Sequence, residues 1–202
     1  VANGVALSDA VLATDAVLEE TDIPSELSVE IGGSYEDQQD MFGDLIMLLA
    51  MIIILVYIVM ASQFESFMSP FVIMFSIPFA FVGVFMGLWV TGTPLGTMGM
   101  IGILILMGIV VKNGIVLIDY TILMRERGYS IAQASVIAAN SRLRPILMTT
   151  LTTVLGMIPM AIGQGEGSEM WRSLGMVVAW GLSISTLVTL VIIPTVYASM
   201  AS

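Results

Sequence analysis

The 202 residues include no cysteine and no histidine. These two absences remove disulfides, thiolate and imidazole metal ligands, and histidine acid–base catalysis. Charge is scarce too. Only 11% of positions are Asp, Glu, Lys or Arg, where a soluble domain carries about 25%. Basic residues are scarcest, six against sixteen acidic ones, and the net charge of −10 argues against a nucleic-acid partner. No P-loop is present, so nothing here hydrolyses a nucleotide, and no residue set points to a hydrolase or an oxidoreductase. The chain does not read as an enzyme.

What remains is apolar. Hydrophobic residues fill 57% of the positions and the mean hydropathy is +1.00. Too few polar side chains are left to cover a globule, so most of the surface must face lipid. The 17 methionines lie mainly in the apolar runs and read as flexible packing rather than a copper site, which would want His or Cys partners.

The charge is segregated along the chain. Residues 1–44 hold 11 of the acidic residues and none of the basic ones, while residues 45–202 are close to neutral. The expected domain plan is therefore an acidic, water-exposed lead segment, 1–44, and a membrane segment, 45–202. The lead segment reads as a small α/β fragment. Ser8 can cap a helix from Asp9 with Leu7, Val11 and Leu18 near one face, Pro24 breaks the chain, and Leu27–Ile31 alternates as a strand that Gly32 and Gly33 turn. So few residues cannot build a stable core alone. The chain opens at Val1 with no signal-peptide pattern and reads as a portion of something longer.

Five apolar stretches follow, each near the roughly 20 residues needed to cross the hydrocarbon. They are expected at Leu45–Ala61, Pro70–Val90, Met98–Tyr120, Pro145–Gly163 and Ser173–Ala198. The fold class is thus an all-α polytopic membrane protein, five transmembrane helices behind the α/β fragment. The fourth stretch carries Thr149, Thr150, Thr152 and Thr153, which suit a bundle interior better than lipid. Pro78, Pro159 and Pro194 fall inside spans, where neighbouring helices can satisfy the freed carbonyls. Gly83-x-x-x-Gly87 allows a close helix contact. Ser66 or Ser69 can cap the helix after the Gln63–Phe67 turn. Gly165–Glu169 resembles a capping arrangement before the last helix.

Arginines set the expected orientation. Arg125, Arg127, Arg142 and Arg144 fall between the third and fourth stretches, whereas the opposite side has Arg172 beside Glu166 and Glu169. Basic connections stay in the cytoplasm. Residues 121–144 and the C-terminus are expected inside, and the lead segment outside.

One residue is out of place on a lipid-facing reading. Lys112 lies mid-run, where an ammonium costs about 2.5–3.5 kcal/mol to insert. It stands eight residues, about 12 Å of helix, from Tyr120, too far to snorkel comfortably. It needs an anionic or polar partner, or must lose its charge. A structural ion pair and a passive polar cavity compete with a functional reading, which intramembrane ionisable residues favour. Asp119 lies two turns on along the same face, too distant for a direct bond, and solvent or an arginine suffices to explain it. Arg142 shares a face with Thr149, and Arg144-Pro145 marks a helix start or a kink. Positive-inside anchoring accounts for Arg144 alone. With Lys112 and the threonines, Arg142 looks like the mouth of a proton-accessible polar track. No span holds a central Asp or Glu, so the acids of such a relay would lie on another segment.

These blocks resemble a known family. Gly108-Ile-Val-Val-Lys-Asn-Gly-Ile-Val-Leu-Ile-Asp119 is similar to the tenth helix of resistance–nodulation–division (RND) efflux transporters. Arg142-Leu-Arg-Pro-Ile-Leu-Met-Thr149 resembles the start of their eleventh helix, and Ser185–Tyr197 their last. Gln63–Phe67 and Gly165–Glu169 fit the connections before the ninth and twelfth. The resemblance covers essentially the whole chain, in order. It implies the C-terminal membrane half, helices eight to twelve, of a proton-driven pump, with residues 1–44 the end of a periplasmic porter-type loop. It implies a proton relay of Lys112, Arg142 and Thr149, Asn113 and Asp119 supporting, that pairs with two aspartates on the absent fourth helix. Lys112 points to the hydrophobe/amphiphile (multidrug) branch, since the heavy-metal branch typically has no lysine there. The implied setting is the inner membrane of a Gram-negative bacterium. The implied partners are the remaining seven helices and porter region, two further copies in a homotrimer, a periplasmic adaptor, an outer-membrane channel and the lipid bilayer. Protons are the coupling ion, with no cofactor and no metal. A non-transporting fragment that packs with its missing half, and a lipid or sterol transporter of related fold, are the alternatives.

Overall fold

The computed structural model describes residues 11, 13, 14, 16–18, 34–163 and 168–200. The expected strand at 27–31 with its glycine turn, the Ser8 cap, the Pro24 break and most of the 165–169 turn lie outside the described residues. The chain divides into two compact units, Val1–Leu48 and Leu49–Ser202. In the first, the described residues between 11 and 18 are helical, with Val11 buried.

Among the described residues of the second unit, all regular structure is helical. Helix α1 (Ser34–Phe64) enters it from the first unit, and α2 (Met68–Met74), α3 (Ser76–Thr91), α4 (Thr97–Glu126), α5 (Ile131–Ile162) and α6 (Ser168–Met200) follow. Among the described residues, five stretches are long and apolar enough to cross a membrane: Asp40–Phe64, Met68–Thr91, Thr97–Glu126, Ile131–Ile162 and Met170–Met200. All five expected spans are present, each longer than the apolar run that marks it. Polar ends do not stop a helix whose backbone bonds are already made.

Proline accounts for two local features. The second span is broken into α2 and α3 at Phe75, three residues before Pro78. A proline cannot bond the carbonyl four residues back and its ring presses on that carbonyl, here that of Met74. The Phe75 N–H is shared between the carbonyls of Phe71 and Val72, 3.2 Å from each, and the buried Ser76 hydroxyl donates to the Ile73 carbonyl at 2.6 Å. Pro145 behaves otherwise. It was a candidate helix start, but α5 begins fourteen residues earlier, at Ile131, and carries Pro145 and Pro159 inside it. A complete capping box at Ser130 and Gln133 starts the helix in the polar connection. Residues 131–144, expected as connection, are therefore helix.

The core is organised around α6, which packs on α3, α4 and α5. Small residues permit this. A methyl added at Gly83 would lie 2.9 Å from Ile184 Cβ, and one at Gly87 would overlap Trp180. The Gly83-x-x-x-Gly87 pair thus seats α3 on α6. Gly181 answers from α6, against Leu106 and Val84. Val72, Ile73, Val84, Leu106, Leu117 and Ile193 form the centre of the packed core. Beyond Leu49, α1 meets this core through side chains such as Ile53, Val56 and Met60, while Met51, Ile54, Leu55, Ile58 and Val59 stay exposed. Met68 N–H donates to the Ser66 hydroxyl at 3.3 Å, although Phe67 occupies the cap position.

Candidate functional site

Helix α4 places Lys112 through its packing. Val110, Val111, Asn113 and Gly114 are buried, so the residue between them must point the other way. Ile105, Gly108, Lys112, Asp119 and Leu123 are exposed at spacings of three, four, seven and four. They form one stripe on the side of α4 that this bundle does not cover. Lys112 makes no hydrogen bond or ion pair among the described residues, and neither does Asp119. The ammonium therefore stands at mid-span on an outward-facing stripe. Asn113, one residue on, is turned inward and only 9% exposed.

Arg142 comes to α4 from α5. Its guanidinium carbon lies 4.7 Å from the centre of the Tyr120 ring, a cation–π contact. Its Nε is buried and lacks a hydrogen-bond partner among the described residues. Arg142 is thus held near the C-terminal part of α4, about two turns along from Lys112. Tyr120 entered the sequence reading only as a marker of depth. Its aromatic type so close to a basic segment was the available signal.

The four threonines divide. Thr150 is buried and its hydroxyl meets that of Thr186 on α6 at 3.1 Å. Thr149 is exposed and donates to the Pro145 carbonyl at 2.6 Å. Thr152 and Thr153 bond back to Met148 and Thr149 in the same i−4 manner, at 2.8 and 2.9 Å. Back-bonding satisfies a hydroxyl without a second helix, so only one of the four needs the interior formed here. Thr149 faces out, as Lys112 does, and no hydrogen bond joins Lys112, Arg142 and Thr149 to one another among the described residues.

A buried polar seam accompanies α6. Ser185, Thr186 and Thr189 are buried, and the Thr189 hydroxyl has no partner among the described residues. At the opposite end of α4 from Arg142, the Ser173 hydroxyl donates to the Pro94 carbonyl at 3.1 Å and ties the start of α6 to the loop after α3. Gly99 leaves room for that serine.

The sequence profile of the AcrB/AcrD/AcrF family matches residues 1–201. The chain belongs to this family of RND transporters. It is similar to the swarming motility protein SwrC of Bacillus subtilis strain 168, 40% identical over 98% of this chain and 19% of that protein. The cobalt-zinc-cadmium resistance protein CzcA of Cupriavidus metallidurans is 34% identical over 90% of this chain and 17% of its own. The multidrug resistance protein MdtC of Proteus mirabilis is 34% identical over 98% and 19%. Among solved structures, the crystal structure of a heavy metal efflux pump (crystal form II) superposes with a TM-score of 0.83 at 31% identity, covering 98% of this chain and 20% of that one. The chain spans about a fifth of the length of the relatives it matches. With five apolar stretches of spanning length among the described residues, it is a multi-pass membrane protein of a transporter family.

Proposed function

We propose that this chain is the C-terminal membrane half of a proton-driven exporter, and that it supplies the Lys112, Arg142 and Thr149 side of the proton relay. The observation that carries the reading is Lys112, exposed at mid-span on the stripe Ile105–Gly108–Lys112–Asp119–Leu123. Lipid is a poor neighbour for an ammonium, at about 2.5–3.5 kcal/mol. The stripe is instead the face against which the remaining helices pack, and carboxylates there would hold the lysine charged. Protonating such a carboxylate releases Lys112 and biases a two-state bundle. Asn113 and Asp119 support the site, from inside the bundle and from its cytoplasmic end. Isolated from that other half, the chain would be a non-transporting fragment.

The four arginines around residues 125–144 put that end of the bundle in the cytoplasm and the first unit in the periplasm of an inner membrane. The working assembly is a homotrimer with a periplasmic adaptor and an outer-membrane channel. The cargo is an amphiphile in this reading, because a lysine occupies position 112. A metal cargo is the second reading, and the resemblance to CzcA and to a heavy metal efflux pump supports it.

One experiment tests both. Cells expressing the complete pump are loaded with ethidium or with Zn2+, and efflux is followed with and without Lys112→Ala. Ethidium export abolished by Lys112→Ala, at unchanged membrane abundance, is the expected result. Zn2+ export alone would transfer the cargo to metals, and normal efflux by Lys112→Ala would sink the relay.

A further inference from the structure

A guanidinium cannot shed its charge when burial removes water, so its surroundings must accommodate it. Arg142 is half-buried, with a buried Nε unpartnered among the described residues. The contact the structure gives its charged head is the face of Tyr120, 4.7 Å away. An aromatic face 4.7 Å from the guanidinium carbon restrains where the cation sits. The N–H groups that do not point at the ring remain available to an acceptor.

We infer that Tyr120 is a positioning residue for Arg142. Its ring holds the guanidinium at the inner mouth of the bundle with the donor edges presented to an acceptor, and it links Arg142 mechanically to Lys112. The link follows from the fold. Tyr120 and Lys112 are on one uninterrupted helix, α4, about 12 Å apart along its axis. Arg142 belongs to α5. A shift of α4 that accompanies a change at Lys112 therefore moves the ring under Arg142, and the arginine moves with its perch. The phenol hydroxyl has no part in this. The ring face is what matters, and phenylalanine supplies one too.

The inference rests on the relay proposed above, so its test separates the two. Efflux of whichever of ethidium and Zn2+ the complete pump exports is measured against cargo concentration, at matched abundance in the membrane. Tyr120→Phe retains at least half of the maximal rate. Tyr120→Leu lowers the maximal rate about tenfold, the order a partly desolvated cation–π contact can account for, with the half-saturating concentration unchanged. In an Arg142→Ala background, Tyr120→Leu costs nothing further, since its partner is gone. Should Tyr120→Leu fail to reach the membrane, the unbranched Tyr120→Met is read in the same way. Equal losses in Tyr120→Phe and Tyr120→Leu would overturn the inference, because the ring face would not be the operative group. So would normal export by Tyr120→Leu when Arg142→Ala has lost it, with the relay left standing. Normal export by Arg142→Ala would overturn the relay and the positioning role together.

Discussion

The hydroxyls of Thr150 and Thr186 meet at 3.1 Å, thirty-six residues apart in sequence and buried between α5 and α6. In an apolar interior such a pair joins two helices, because no water is present there to replace either partner. Interhelical hydrogen bonds in membranes contribute about 0.6 kcal/mol on average and up to roughly 1.7. We expect Thr150→Val and Thr186→Val each to destabilise the bundle by about that amount. The double variant should lose less than the two single losses combined, since the pair is already broken by either. Thermal unfolding of the three variants in detergent measures this, and full additivity would show that the hydroxyls do not interact.

Close approach of α3 to α6 depends on Gly87, where an added methyl overlaps Trp180. Gly87→Ala must push the helices apart or turn the indole, at a cost of about 1–3 kcal/mol. Gly156 is the control, an exposed glycine in α5 with nothing within 4 Å of an added methyl. There alanine should be neutral or slightly stabilising, through its better helix propensity. Equal melting temperatures for Gly87→Ala and Gly156→Ala would contradict the packing seen here.

Helix α3 closes on Gly92, whose φ of +61° lies in the left-handed region. Its N–H bonds the Leu88 carbonyl as a left-handed cap does. An L side chain at this φ costs roughly 1–2 kcal/mol. Gly92→Ala should therefore destabilise although the space around it is empty. Gly92→Asn should recover part of the loss, because asparagine tolerates that conformation. Comparing the two melting curves decides the point.

Cysteine is absent from all 202 positions, so an introduced one gives this segment a single labelling site. Tyr129→Cys and Pro94→Cys replace exposed residues in the turns at either end of α4. With the arginine-rich end in the cytoplasm, a membrane-impermeant maleimide should label Pro94→Cys in intact spheroplasts. It should reach Tyr129→Cys only in inverted vesicles. The reverse pattern would invert the proposed orientation.

How far the sequence alone reaches differs from feature to feature. The five spans were legible because lipid demands a long apolar run whatever the fold. Lys112 was legible because a charge in such a run must find a polar partner or lose its charge. The start of α5 was not. Pro145 looked like a boundary, since the clash it imposes is local and visible in the sequence, whereas the capping box that starts the helix at Ser130 lies fifteen residues upstream in a stretch too polar to read as a span. Pro78 did break its helix. Both prolines remove a backbone donor, and the surroundings decided whether the helix continued or divided.

The threonines show the same division. Four hydroxyls on one helix announced a polar span, but the sequence has no means of choosing which one faces another helix. Packing against α6 chose Thr150, and back-bonding to the preceding turn left Thr149, Thr152 and Thr153 complete in themselves. Composition and the placement of six basic residues by themselves determined that this is a membrane protein of five spans with one anomalous lysine. The tertiary structure alone decided which face of α4 that lysine occupies and that Arg142 rests on Tyr120. Hydrophobicity is a property of each residue and can be read one position at a time, but a side chain's partner depends on how two separate helices are rotated against each other.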